Sequence, residues 1–172
     1  VALAPYDPSA SGVAPAYRPP SLAHPFGTDW AGRDVFSRVL YGGRYSLSIG
    51  VIAVSLALVV GVPLGAIAGY VGGWVDETIM RLVDVLYAFP FLVLAIALVA
   101  VFGQGFWKLV GALVAVGWIG YARLVRGEVL SVAERDYVLA ARALGVTDRR
   151  ILARHVVPNA IAPVVVQATL NV

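Results

Sequence analysis

Long apolar blocks separated by short charged ones run along this chain, and their lengths predict membrane-crossing helices. From Tyr45 to Val75 no charged residue occurs over 31 positions. A helix of that length extends about 46 Å, more than the roughly 30 Å hydrocarbon core of a bilayer. Val85 to Trp107 is a second uncharged run, of 23 residues. A third, Leu109 to Ala122, has 14 residues between Lys108 and Arg123, so it crosses only if both flanking side chains snorkel to the interfaces. The pattern predicts three spans within residues 45–122, at about 46–70, 85–104 and 106–125. After Pro158 the chain turns apolar again, and residues 159–172 read as the start of a further span.

Residues 1–44 have a different texture. Pro5, Pro8, Pro15, Pro19, Pro20 and Pro25 favour an extended, poorly helical segment over a folded one. Beyond Gly27 the texture changes again. Val35, Phe36, Val39 and Leu40 share a face at helical spacing, and Thr28 or Asp29 stands where a cap belongs, so a short interfacial helix is expected. The chain opens without methionine and stops inside an apolar stretch, and a fragment of a longer subunit is expected.

Composition narrows the class. With 60% hydrophobic and 13% charged residues and a mean hydropathy of +0.84, the chain is too apolar for an ordinary soluble domain, and an all-α integral membrane protein is expected. There is no cysteine, hence neither disulfides nor thiolate metal sites. Arginine supplies nearly all of the positive charge, since Lys108 is the only lysine. Residues 1–44 and the Gly103–Lys108 turn hold five positive charges, against eight on the opposite loops. The positive-inside rule then puts residues 123–158 in the cytoplasm and the proline-rich segment outside. A basic loop beside a bilayer points to cytoplasmic placement before nucleic acid, so no nucleic-acid partner is expected.

Ala53, Ala57, Gly61, Gly65 and Gly69 recur every fourth residue and form one ridge of minimal side chains on a helix, suited to close packing in lipid. The ridge serves packing within the chain or, as the alternative, a subunit interface. Pro63 and Pro90 each remove a backbone bond within an expected span and should kink it. Absences exclude whole functions. No charged residue lies deep in a span, which disfavours an ion-coupled carrier. No GxxxxGK[ST], HExxH or GxSxG pattern occurs, so nucleotide hydrolysis and the common hydrolase sites are not expected in this chain. His24 and His155 stand apart from any second histidine and read as surface or turn residues. No catalytic, cofactor or metal site emerges, and Asp76, Glu77, Arg81 and Asp84 read as a solvated turn.

One charged block remains, between Arg123 and Arg154. Tyr137 to Leu144 favours helix, with Ala140, Ala141 and Ala143 keeping its surface low enough for a partner to approach. Gly145 permits the positive φ that ends helices, and Thr147 can cap a second helix with Asp148 in its first turn, running towards His155 before Pro158. Two helices about a sharp turn are expected, presenting Arg149 and Arg150. A merely solvated loop is the alternative reading.

This stretch resembles the EAA loop of ABC-importer permease subunits, in which EAA, three residues, Gly, nine residues and Ile-x-Leu-Pro follow in order. Ala140, Ala141, Gly145 and Pro158 fall in register, while Leu139, His155 and Val157 depart from the pattern. Ala140-Ala-Arg-Ala-Leu-Gly145 and Arg154-His-Val-Val-Pro-Asn159 resemble the dipeptide, oligopeptide and nickel branch. So do His24-Pro-Phe-Gly-Thr-Asp-Trp-Ala-Gly-Arg-Asp34, Ile79-Met-Arg-Leu-Val-Asp84 and Tyr121-Ala-Arg-Leu-Val-Arg-Gly127. The resemblance implies part of a polytopic helical bundle of the type I importer kind in a bacterial or archaeal inner membrane. It also implies a second permease subunit, cytoplasmic ATP-binding subunits that receive the loop, and an extracytoplasmic solute-binding protein. Asp148, Arg149 and Arg150 then belong to the ATPase-coupling loop. A membrane scaffold or channel without an ATPase is the alternative, and nothing in the sequence identifies the cargo.

Overall fold

The computed structural model describes residues 4–171, which divide into two compact units at Ile49/Gly50. Helices account for nearly all regular structure. They are α1 (Val35–Val71), α2 (Gly73–Tyr87), α3 (Phe91–Phe102), α4 (Phe106–Ala133), α5 (Asp136–Ala143), α6 (Asp148–Ile151) and α7 (Val157–Leu170), with a π-helical turn at Leu152–Val156 joining the last two. Among the described residues the only β-type pairing is an isolated antiparallel bridge between Thr28 and Asp34.

The first unit corrects the expectation of an extended proline-rich segment. Prolines exclude helix, but the chain folds back on itself through backbone bonds from Gly12 to Ala31, Tyr17 to Asp29 and Thr28 to Arg18. Its centre is polar. Asp34 is fully buried, accepts the Ser37 N–H at 2.8 Å and lies 2.9 Å from Nδ1 of His24. Asp34 therefore caps α1, in place of Thr28 or Asp29. Thr28 instead donates to the Pro15 carbonyl at 2.6 Å and accepts from the Arg18 N–H at 2.9 Å. His24 is no surface residue: it is 4% exposed and stacks on Tyr6. Burial would push the Asp34 carboxyl up, yet the Ser37 N–H and the His24 ring hold it below its ordinary 3.8. In the same way the backbone N–H groups of Arg33 and Ala31 and the Arg33 guanidinium overcome desolvation of Asp29 and bring it to about 2.

The expected interfacial helix and first span are one element. α1 is continuous over 37 residues, and Pro63 lies inside it without ending it. The Asp34 cap starts the helix ahead of the apolar run, and the helix continues through Gly42 and Gly43 into it.

In the second unit the small-residue ridge of α1 lies against α4. A methyl added at Gly61 would come within 2.6 Å of the Trp118 carbonyl, and one at Gly69 within 2.8 Å of the Arg126 carbonyl; at Gly65 the Ala122 carbonyl is closer still. Ala53 and Ala57 are buried on the same ridge. The partners Trp118, Ala122 and Arg126 also recur every fourth residue, so two rows of equal pitch meet backbone to backbone.

Among the described residues three helical runs are long and apolar enough to cross a membrane: Val35–Val71, Phe106–Ala133 and Asp148–Leu170. The expected span at 85–104 is not a single helix. α3 has 12 residues, about 18 Å, and meets α2 at a bend of 84°. Pro90 sits in this break because it has no N–H to donate and its preceding residue avoids helical backbone. α4 outruns the expected 106–125 and continues through Arg123 and Arg126 to Ala133. The helical run from Asp148 likewise passes Pro158, where an end was expected. Its π-turn, with the Val157 N–H reaching back to the Leu152 carbonyl, is the wider winding that admits a proline.

Two outcomes test this account. Gly65→Val should destabilise the fold by about 1–3 kcal/mol or more, because the Ala122 backbone cannot yield to an added side chain, whereas Gly111→Ala, with open space around it, should be nearly neutral by thermal unfolding in detergent. Asp34 has a depressed folded pKa, so its stabilisation is present above about pH 3.8 and is lost as pH falls through the folded value. The excess resistance of wild type over Asp34→Asn to pepsin within residues 4–34 should therefore shrink from pH 4 towards pH 2.

Candidate functional site

The polar segment between α4 and α6 is short and tightly built. α5 buries Val138 and Ala141, three residues apart on one face, in a cluster with Val132, Ile151, Val156 and Ala160. Asp136 stands in its first turn and Arg142 in its last, each favourable to the helix dipole. Its end has full Schellman geometry. The Val146 N–H reaches the Ala141 carbonyl at 3.2 Å and the Gly145 N–H the Arg142 carbonyl at 3.0 Å, with Gly145 at φ +78°. Thr147 has the extended backbone of a cap, but its hydroxyl makes no capping bond.

Of the residues expected to form the coupling surface, Ala140, Gly145, Asp148, Arg149, Arg150 and Pro158 are exposed, while Ala141 faces the core. Tyr137 and Leu139 are also exposed, and Leu144 at the turn is 84% exposed. A leucine that open, in a segment that also exposes Arg149 and Arg150, makes the turn an amphipathic projection.

Three groupings were not anticipated from the sequence. Asp76 of α2 receives a two-pronged bond from Arg126 of α4, one prong at 2.6 Å. Asp84, two turns on, pairs with Arg123, whose guanidinium lies 4.4 Å over the Tyr87 ring. These residues lie on a helix and not in a turn: Asp76 is partly buried against α4, Asp84 is paired but exposed, and Glu77–Arg81 is an exposed i,i+4 pair. The signal was present in the spacing: Asp76 and Asp84 lie eight apart and Arg123 and Arg126 three apart, each pair on one helical face. Tyr70, in the last turn of α1, donates to Oδ1 of Asp148 at 2.7 Å and accepts from Arg142 at 3.3 Å. No local pattern in the sequence marks Tyr70 for this role.

A cavity of about 590 Å³ opens among α1, the α2–α3 break and α4, lined by Ala53, Ala57, Phe89, Pro90, Gly117 and Tyr121 among others. Its walls are mainly apolar. The Tyr121 hydroxyl, held at 2.9 Å by Asn171, supplies a polar point. His155 is half-buried in the π-turn, with its carbonyl accepting from Asn159 at 2.7 Å. Among the described residues no group of His, Cys, Asp or Glu is placed to hold a metal ion.

Several long apolar helices and one structured polar projection at their ends define a polytopic α-helical membrane protein. Residues 61–172 match the binding-protein-dependent transport system inner membrane component family, and the chain belongs to that family. It is similar to the dipeptide transport system permease protein DppC of Alkalihalophilus pseudofirmus, with 46% identity over 88% of this chain and 50% of the relative. Against the oligopeptide transport system permease protein OppC of Bacillus subtilis the identity is 44%, over 97% of this chain and 55% of the relative. Against the glutathione transport system permease protein GsiD of Pectobacterium atrosepticum it is 43%, over 89% and 51%. The chain spans about half the length of the curated relatives it matches. It is a multi-pass inner-membrane protein.

The Asp76–Arg126 pair carries its own prediction. Asp76→Asn should loosen α2 from α4, at about 1–3 kcal/mol for a lost charge-assisted bond, and appear as faster hydrogen exchange across residues 73–87. The exchanged pair Asp76→Arg with Arg126→Asp should recover protection.

Proposed function

We propose that this chain is part of a permease subunit of an ATP-driven importer of peptides, forming one wall of the translocation path and coupling to a separate ATPase through residues 134–150. Family membership and the names of the relatives, which are permeases for dipeptides, oligopeptides and glutathione, support the peptide class. A second permease subunit and an extracytoplasmic binding protein complete the proposed assembly. The observation that carries the reading is the projection itself. Ala140 and Gly145 keep its outer surface low, Leu144 offers an apolar knob and Arg149 and Arg150 add exposed positive charge, while the Asp148 carboxylate is turned to Tyr70. Behind this face, Val138, Ala141 and Ile151 lock the segment to the helices, so a force applied outside reaches the bundle as displacement.

On this reading the chain contributes motion, and the chemistry of ATP hydrolysis belongs to its partner. Closure of the nucleotide sites pulls on the projection, and the attached helices rock between inward and outward openings. The placement of the projection in the cytoplasm follows from the arginine bias of the loops.

Gly145→Trp in the full-length subunit tests this directly. An added Cβ at Gly145 has open space around it, so the side chain leaves the backbone without a clash. The costs are the positive φ, about 1 kcal/mol, and whatever the indole meets on a partner. Membrane insertion should stay normal while uptake of radiolabelled di- and tripeptides falls at least tenfold relative to ATP hydrolysed. Wild-type uptake per ATP would remove the basis of the proposal.

A further inference from the structure

The coupling segment is held to its own bundle at one polar point whose geometry no packing requirement explains. The Tyr70 hydroxyl uses both of its hydrogen-bonding roles, and it uses them on opposite sides of the Gly145 turn. It donates to Asp148, the first residue of α6, and accepts from Arg142, in the last turn of α5. The Arg142 guanidinium also lies 5.7 Å from the centre of the Tyr70 ring, and the hydroxyl raises the Arg142 pKa further above its ordinary value. Tyr70 is 72 and 78 residues from these partners in the chain.

What stands behind Tyr70 is the close seam between α1 and α4. One residue earlier Gly69 lies against the Arg126 backbone, and Gly65 and Gly61 continue the contact along α4. Arg126 in turn grips Asp76 of α2. A displacement of the turn that reaches Tyr70 therefore reaches α1, α4 and α2 together.

We propose that Tyr70 is the positioning residue that carries movement of the Arg142–Asp148 turn into α1. This rests on the coupling role proposed above and identifies where, inside the chain, the force enters the spans. The hydroxyl is the working group; the ring is its stem. Deleting the hydroxyl leaves the exposed docking face untouched, so the partner still grips the turn, but the turn then moves without α1 following.

Residues 1–172 hold no cysteine, so in a full-length permease cleared of any cysteine elsewhere spin labels can be introduced one at a time at Thr147→Cys, an exposed position on the turn whose hydroxyl makes no capping bond, and at Val51→Cys, an exposed position far along α1. The full-length permease is assembled with its ATPase subunits and binding protein in liposomes, and spectra are compared before and after trapping with ATP and vanadate. Without further substitution both labels should respond. In Tyr70→Phe the Thr147 response should persist while the Val51 response falls to less than a third. Asp148→Ala, which removes the acceptor, should do the same, and Asp148→Asn, which retains an acceptor oxygen, should restore most of the Val51 response. A Val51 response undiminished in Tyr70→Phe or Asp148→Ala overturns the assignment of Tyr70 while leaving the coupling reading standing. A Thr147 label that ignores nucleotide without further substitution overturns the coupling reading and this assignment with it.

Discussion

Backbone-to-backbone contact between α1 and α4 is the constraint on which the second unit depends. In lipid, apolar side chains gain nothing by leaving the solvent, so helices associate through dispersion and close fit. Each atom pair contributes only about 0.1–0.2 kcal/mol, and the sum becomes useful when the backbones themselves approach. Gly61, Gly65 and Gly69 allow that approach at the level of the Trp118, Ala122 and Arg126 carbonyls. Because the fit is repeated at three levels, α1 cannot tilt against α4 without losing all three, and the pair behaves as one beam.

The charges near the ends of the helices follow from the same geometry. Arg123 and Arg126 extend α4 beyond its apolar run; Arg123 stays exposed, whereas Arg126 is partly buried and would be costly to leave without a partner. Asp84 and Asp76 of α2 meet them, so the short amphipathic helix is fixed to the beam by ion pairs while its outer face keeps Glu77 and Arg81 in solvent. Pro90 then turns the chain sharply into α3, and the cavity beside Tyr121 lies against this bend. Helix attachment, bend and cavity are linked consequences of where the charges and the proline fall.

The coupling segment shows why legibility differed from residue to residue. Gly145 and the two helices around it could be read from the sequence, because a Schellman turn is local and needs only a glycine with a helix former before it and a cap after it. The inward direction of Ala141 could not, since Ala140 and Ala141 look alike until Val138 fixes which face of α5 meets the core. Tyr70 was invisible for a stronger reason. Its partners lie more than 70 positions away, and a tyrosine near the end of an apolar helix ordinarily marks an interface with water.

The sequence by itself determined the class of the protein, the existence of its apolar helices, the small-residue ridge and the helix–glycine–helix turn, since each depends on composition or on spacing within one element. Only tertiary structure decided that the prolines of the first unit fold back around a buried His24–Asp34 pair and that α1 begins at an Asp34 cap. It also decided that the second apolar run is broken at Pro90 and that the acids of α2 belong to the arginines of α4. Those outcomes depend on which distant groups meet, and the free energy of a buried charge or a close backbone approach exists only once both partners are present.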